Sequence, residues 1–283
     1  MKLATFSAGG ERGLGVVTLG GIVPLGDHAD IPGDMRDLIG RWPDLEARVR
    51  AIVDNATNFL PLDDVQLHAP VARPSKVMAI GLNYADHIAE SGLDAPTKQL
   101  WFSKQVNTVN DPYDGVEIPI ASEQIDYEVE LVAVIGKRGR HISAEDARAH
   151  VFGYCVGNDV SVRDWQLATP QWVLGKSFDT HAPIGPFITT SDEIGDPHRL
   201  AIRALVNGET RQSSNTRHLV FNVWDQIAHL SQAMTLEPGD LIFTGTPGGV
   251  GLAMKPPRFL VAGDVVRCEI DELGAIENVM VAE

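Results

Sequence analysis

Three carboxylates carry the most chemistry in this sequence. Glu128 and Glu130 sit two apart in DYEVELVAVIGK (Asp126 to Lys137), a run rich in Val, Ile and Leu. If that run is a strand, both acids point to the same face. Like charges side by side repel, so something positive has to hold them. A third acid, Asp159, closes the apolar, strand-like run VFGYCVGNDV (Val151 to Val160). No His stands three or four positions from any of the three, and the one sulfur in these runs is Cys155. The set is therefore all oxygen, which suits Mg²⁺, Mn²⁺ or Ca²⁺ better than zinc. The same spacing also describes a half-exposed edge strand with solvated acids.

Four further segments offer reactive groups. In NYADHIAESG (Asn83 to Gly92), His87 and Glu90 are neighbours on one helical turn. They could be a surface ion pair. Their place directly after the strand-like KVMAIGL, with Ser91-Gly92 as a stop, fits a short mobile lid instead. Arg163 and Gln166 follow Asp159 closely enough to reach a bound anion, and Lys104 lies in WFSKQVNTV. Lys176, between Gly175 and Ser177, is either solvated or an ammonium donor to developing negative charge. LIFTGTPGGVGL (Leu241 to Leu252) puts a glycine-rich loop after a strand, but its spacing is G-x-x-G-G-x-G and Lys255-Pro256-Pro257 leaves little room for a helix. That rules out a dinucleotide fingerprint, while Thr246 and its flanking amides could make an anion-binding nest.

The elements that position these groups read as mostly strands. Residues 1–73 form an expected small α+β domain. It has a hairpin from LATF and GVVTL, then apolar positions Leu38, Trp42, Leu45, Val49, Ile52 and Val53 at helical spacing, which Pro43 divides into two helices. Phe59 to Pro74, with three prolines, reads as the linker. Residues 74–283 then form a mixed, curled, β-rich α+β domain. Ser143 and Asp146 make a capping box that predicts a helix of about two turns. Val223, Ile227, Leu230 and Met234 mark the stripe of a second helix, ending before Pro238-Gly239-Asp240.

Composition excludes several partners. With 283 residues, 44% of them hydrophobic, the chain can bury a full core. A formal net charge of −15 argues against nucleic acid and anionic membranes, and requires a local positive centre for any anionic substrate. The two cysteines, Cys155 and Cys268, lie in apolar runs and read as buried free thiols. Neither a signal-peptide core nor a run of membrane-spanning length is visible, so a cytoplasmic protein is expected.

Taken together, GLNYADHIAESG, DYEVELVAVIGK, GNDVSVRDWQ, GKSFDTHAPIGP and GDLIFTGTPGGVG resemble, in order and approximate spacing, the fumarylacetoacetate hydrolase family. The resemblance covers roughly Lys76 to Glu283. KSFDTHAPIGPFI and KPPRFL are most similar to the branch holding 2,4-diketo-3-deoxy-sugar-acid hydrolases and the animal domain-containing-2 proteins. It implies a β-sandwich roll and a homodimer. It implies that Glu128, Glu130 and Asp159 hold a divalent metal, usually Mg²⁺ or Mn²⁺, and that His87 with Glu90 activates water. It also implies that Arg163, Gln166, Lys176, Thr246 and Lys104 contact substrate or an enolate.

On that resemblance the expected reaction is hydrolysis of a C–C bond in a 2,4-diketo acid of the acylpyruvate or fumarylacetoacetate kind, through an enolate. The same enolate chemistry serves oxaloacetate decarboxylation, tautomerisation, or isomerisation of a hydroxymuconate-type diacid. A different class, a non-catalytic protein stapled by a structural divalent ion, is also open. Selectivity is expected from residues between Glu90 and Gln99 and from the loop Thr169 to Leu174, where Ala95, Pro96 and Trp172 indicate a partly apolar pocket.

Overall fold

The computed structural model describes every residue except Leu93 and Ala95, so Ala95 as a pocket residue lies outside the described residues. The chain opens with β1 (Lys2–Ala8), β2 (Glu11–Thr18) and β3 (Gly21–Pro24), paired antiparallel. Helix α1 (Met35–Gly40) follows, capped by Asp34, whose side chain accepts from the amides of Arg36 and Asp37. Helix α2 (Trp42–Asp54) carries Pro43 in its first turn, where a missing N–H costs nothing, so the break falls at Arg41. The expected linker contains a strand, β4 (Gln66–His68), which pairs with β1.

Next come β5 (Val77–Gly81), α3 (Ala85–Ser91), β6 (Leu100–Lys104), β7 (Val109–Asn110), β8 (Val116–Ile118) and β9 (Ile125–Asp126). The two long central strands are β10 (Val129–Ile135) and β11 (Val151–Asn158). They are followed by β12 (Ser161–Val162), α4 (Arg163–Leu167), β13 (Ala182–Thr190), β14 (Ala201–Val206) and β15 (Glu209–Asn215). The chain ends with α5 (Val223–Ala233), β16 (Leu241–Phe243), β17 (Val265–Ile270) and β18 (Gly274–Ala282).

The large sheet runs β3-β2-β1-β13-β11-β10-β16-β5-β6, and a five-stranded sheet runs β15-β14-β17-β18-β8. The N-terminal strands thus join the large sheet through β1 and β13, with Lys2 opposite Thr189. Every residue of β10 and β11 is buried, as continuous apolar runs require of strands covered on both faces. Alternation assigns the two faces. Val129, Leu131, Ala133 and Ile135 pack into a core shared with Ile202, Ala204, Val266 and Ile270 of the second sheet. Val132 and Val134 pack into a core shared with Leu3, Leu38, Val49 and Phe243. The even-numbered Glu128 and Glu130 therefore belong to the second of these faces.

One expected element is shorter than its sequence implies. Ser143 Oγ does accept from the Asp146 amide, at 3.1 Å, but the segment after it is only a 3₁₀ turn over Ala147–His150. The His150 carbonyl accepts the Gly136 N–H at 2.8 Å, closing the chain back on the end of β10, and Val151 is already strand. Closure of that hairpin overrides the local helix signal. The second helix matches its stripe, except that Met234 is already extended. No described helix is long and apolar enough to cross a membrane.

Candidate active site

The acids converge because of strand register. Val129 pairs with Asn158 and Glu130 with Gly157, and the Asp159 amide donates to the Glu128 carbonyl at 2.8 Å. Glu128 and Asp159 thus face each other at the open end of the β10–β11 ladder. Each of Glu128, Glu130 and Asp159 offers an oxygen within 4.8 Å of the others, and all three are buried. This removes the solvated edge-strand alternative, since β10 is central. Glu128 is held by its own amide, which donates to Asn158 Oδ1 at 2.9 Å. Glu130 accepts from the Gly245 amide at 2.7 Å.

Three buried cations surround the acids. Lys176 Nζ donates to Glu128 Oε2 at 2.8 Å and to Asp159 Oδ2 at 2.7 Å. Lys104 Nζ donates to the other Asp159 oxygen at 2.6 Å and to the Val160 carbonyl at 3.1 Å. Arg163 reaches Glu128 Oε1 at 2.7 Å and Asp126 Oδ2 at 2.8 Å, and donates to Gln166 Oε1 at 2.8 Å. Burial opposes ionisation of Glu128, but Lys176 and Arg163 outweigh it and hold its carboxyl down at about 2. Glu130 has no such partner. Burial, then the charges of Asp159 and Glu128, push its carboxyl well above the usual range. Burial lowers Lys104 despite Asp159, whereas for Lys176 the charges of Asp159 and Glu128 overcome burial and raise it.

These four acids, Asp126 included, outnumber the three cations by one, and the unmatched charge falls at Glu130. An all-oxygen donor set with a surplus carboxylate fits a hard divalent cation. The three ligand candidates are Glu128, Glu130 and Asp159.

A cavity of about 340 Å³ opens beside this cluster. Its polar lining comes from His87, Glu90, Glu128, Arg163, Gln166, Lys176 and Thr246, and its apolar wall includes Phe102, Leu167, Trp172 and Leu252. Trp172 packs against Phe102, with ring centroids 5.6 Å apart, and Phe102 lies under Lys176 Nζ at 4.9 Å. The expected apolar residue of the Thr169–Leu174 loop is therefore in the wall. Of the three acids, Glu128 alone is among the lining residues, and Lys104 is not one of them.

His87 and Glu90 are both at the cavity, so the pair is not a solvated surface bridge. They stand at ion-pair distance but share no hydrogen bond: His87 Nδ1 is 3.6 Å from Glu90 Oε2 and is buried with no hydrogen-bond partner among the described residues. The Glu90 carboxylate instead accepts from the Gly249 amide at 2.9 and 3.1 Å.

The expected anion nest at Thr246 is filled by the chain itself. Gly245 N–H serves Glu130, Gly249 N–H serves Glu90, and Gly251 N–H donates to Asp126 at 2.7 Å. Thr246 Oγ1 donates to the Val129 carbonyl at 3.0 Å and accepts from Gln212 Nε2 at 2.8 Å. The glycine-rich loop thus binds carboxylates, but internal ones.

Several positioning groups were not singled out by sequence. Asp126 anchors Arg163 and the Gly251 and Leu252 amides. Gln212, fully buried on β15, ties Thr246 and the Pro247 carbonyl to the Val129 amide. Their partners lie far away in sequence, so no local spacing marks them. Outside the cavity, His68 bridges Ser7 Oγ at 2.9 Å and Asp111 at 2.6 Å. This resembles a hydrolytic relay, yet none of the three lines the cavity, and the contact serves to tie β4 and the 111 loop to β1.

Residues 76–281 match the family model described as fumarylacetoacetate (FAA) hydrolase C-terminal. The chain belongs to the fumarylacetoacetate hydrolase family. Within that family it falls in the branch of domain-containing protein 2. A mitochondrial oxaloacetate tautomerase from Bos taurus is 45% identical over 99% of this chain and 92% of its own. A fumarylacetoacetate hydrolase domain-containing protein 2 homolog from Dictyostelium discoideum is 44% identical over 88% of this chain and 85% of its own. Among solved structures, maleylpyruvate hydrolase from a Sphingobium species, in complex with manganese(II) and pyruvate, superposes with a TM-score of 0.85 at 34% identity, covering 100% of this chain and 99% of that one. The fumarylacetoacetate hydrolase fold of the chain is thereby established, with its sandwich of two sheets and few helices.

Proposed function

We propose that this member of the family enolises small 2-oxo acids with a divalent cation, Mg²⁺ or Mn²⁺, held by Glu128, Glu130 and Asp159, and that its leading reaction is keto–enol tautomerisation of oxaloacetate or a close analogue. The observation carrying this reading is the buried three-carboxylate cluster with surplus charge at Glu130, set beside a cavity with cations on its wall. When bound, the cation would act as a Lewis acid on the 2-oxo group. Lys176 and Arg163 keep Glu128 ionised as a ligand and add positive potential that draws in a carboxylate substrate. Gln166, whose Oε1 is turned to Arg163, keeps its amide N–H₂ for a substrate oxygen. His87 takes a proton from the carbon beside the 2-oxo group, and a proton is returned to the oxygen. A positioned acid–base group of this kind contributes about 10²–10⁴-fold.

Tautomerisation stands ahead of hydrolysis for two reasons. The relatives named as oxaloacetate tautomerases are 44–45% identical over nearly the full length, against 34% for the maleylpyruvate hydrolase. Hydrolysis also requires a water-activating dyad, and here Glu90 is bonded to the Gly249 amide rather than to His87. The second reading, hydrolysis of an acylpyruvate-like acid, is supported by the presence of both groups at one cavity wall, since such contacts tighten when substrate binds. We also propose a cytoplasmic homodimer. Trp165 and Leu167 of α4, with Ile120 and Leu174, are large apolar side chains left exposed, which a second copy would cover.

The reading is tested by enol absorbance of oxaloacetate and of acetylpyruvate, each with Mg²⁺ and with chelator. Metal-dependent loss of oxaloacetate enol without carbon dioxide or pyruvate supports tautomerisation. Stoichiometric pyruvate and acetate from acetylpyruvate would give hydrolysis first place. A chelator that lowers melting temperature while no substrate turns over at any metal level would leave only a structural ion.

A further inference from the structure

Helix α3 presents His87 to the cavity, and its own packing comes from the buried Ile88 and from Tyr84 just before it. It is seven residues long, its N-cap Tyr84 makes no side-chain cap bond, and helices this short are unstable alone. Polar contacts from outside the helix add to this. Asp86, immediately before His87, accepts from the His87 amide at 2.8 Å through Oδ1. The same oxygen accepts from the Gly248 amide at 3.4 Å, and Oδ2 accepts from Ser214 Oγ. One turn later Glu90 accepts from the Gly249 amide. Both ends of the helix are thus pinned to the 248–249 peptide and to β15.

The keeper side is rigid. Gly249 has φ +101°, and a Cβ there would lie 2.0 Å from the Arg211 carbonyl, so the loop is pressed onto β15. Ser214 lies two residues from Gln212 and shares its face of the strand, and Gln212 anchors Thr246, Pro247 and the amide of Val129. One strand of the smaller sheet therefore gauges the distance between the lid helix and the carboxylate strand.

We propose that Asp86 and Ser214 form a catch: they are positioning residues that hold the lid helix closed and set His87 against the substrate without touching it. The catch is partly exposed to solvent, as a contact that opens for substrate entry has to be. It rests on His87 being the proton-transfer group of the function proposed above.

The test compares Ser214→Ala, Ser214→Thr and Asp86→Asn with the unaltered full-length protein, all loaded with Mn²⁺. Hydrogen exchange over Ala85–Ser91 is read alongside kcat and KM for oxaloacetate enol conversion. Loss of one hydrogen bond to a carboxylate should speed exchange in this segment roughly tenfold and lower kcat by a similar factor, with KM within about twofold. Melting temperature should hold within about 3 °C, as expected for a surface contact in a chain of this size. Ser214→Thr, which keeps the hydroxyl, should restore both readouts, a result that mere loss of packing would not give. Unchanged exchange in both Ser214→Ala and Asp86→Asn, or no restoration by Thr, overturns the catch. If the unaltered protein converts no oxaloacetate, the reaction assignment fails, and the exchange measurement still decides the catch.

Discussion

At the scale of single residues, Glu130 is the group whose energetics most separate stability from activity. Its carboxylate is buried beside two others, with the Gly245 amide for support, and its pKa stands well above the ordinary value. Glu130→Gln should therefore cost little in chelator, and could raise the melting temperature, because a neutral amide relieves the repulsion. Adding Mn²⁺ should raise the melting temperature of the unaltered protein by mass action and leave Glu130→Gln unmoved. Thermal melts with and without the ion check both halves. Asp126 behaves oppositely. It is one of two carboxylates on the buried Arg163, and Asp126→Ala leaves that charge to Glu128 alone and the Gly251 and Leu252 amides without their acceptor, at a cost of about 1–3 kcal/mol read by denaturant unfolding. The two residues also show what sequence could reveal. Glu130 is legible from its spacing to Glu128, whereas Asp126 binds Gly251, 125 positions away, and only the folded chain brings them together.

At the scale of elements, the site is a junction of β10, β11, α3, α4, the 245–251 loop and β15. The strands that carry the acids were legible because long Val- and Ile-rich runs have few alternatives. The short elements were not. The capping box at Ser143 is real as a hydrogen bond, but the chain has only four residues before β11 begins, so a 3₁₀ turn replaces the helix. The loop after β16 was read for its glycines as an anion site. Its amides instead bind Glu130, Glu90 and Asp126, and what fixes it is the close approach to β15. Gly249→Ala tests that account, since the new Cβ meets the Arg211 carbonyl in a left-handed conformation. The expected loss is about 1–3 kcal/mol in stability, together with faster exchange across α3, because the loop must shift off β15 and carries the 249 amide away from Glu90. A variant as stable as the parent, with α3 unaltered, would contradict it.

At the scale of the whole molecule, the two sheets close on β10 and β11, and buried polar groups between them link folding to pH. His181, on the strand-like approach to β13, donates through its ring to the Glu117 carbonyl at 2.7 Å. Burial pushes its pKa down to about 4 from an ordinary 6.5. Between those values the unfolded chain binds a proton that the folded chain refuses, so stability present above about pH 6.5 is lost as pH falls toward 4, by up to roughly 3 kcal/mol. Urea unfolding from pH 7 to 4 should show that slope, and His181→Gln should flatten it. The mixed β-rich class was legible from turn spacing and strand composition. The joining of β1 to β13, and the placement of β4 inside the proline-rich stretch, depend on pairings between residues far apart in the chain and were not. In the proposed reaction one cation, held by Glu128, Glu130 and Asp159, makes this cavity catalytic. Protein stripped with chelator is titrated with Mn²⁺, following binding by calorimetry and oxaloacetate enol conversion on the same samples. Activity rising from near zero in step with one bound ion per chain, and both signals absent in Asp159→Asn, is the predicted result. Full activity in the stripped protein, or unchanged Mn²⁺ binding in Asp159→Asn, would contradict it.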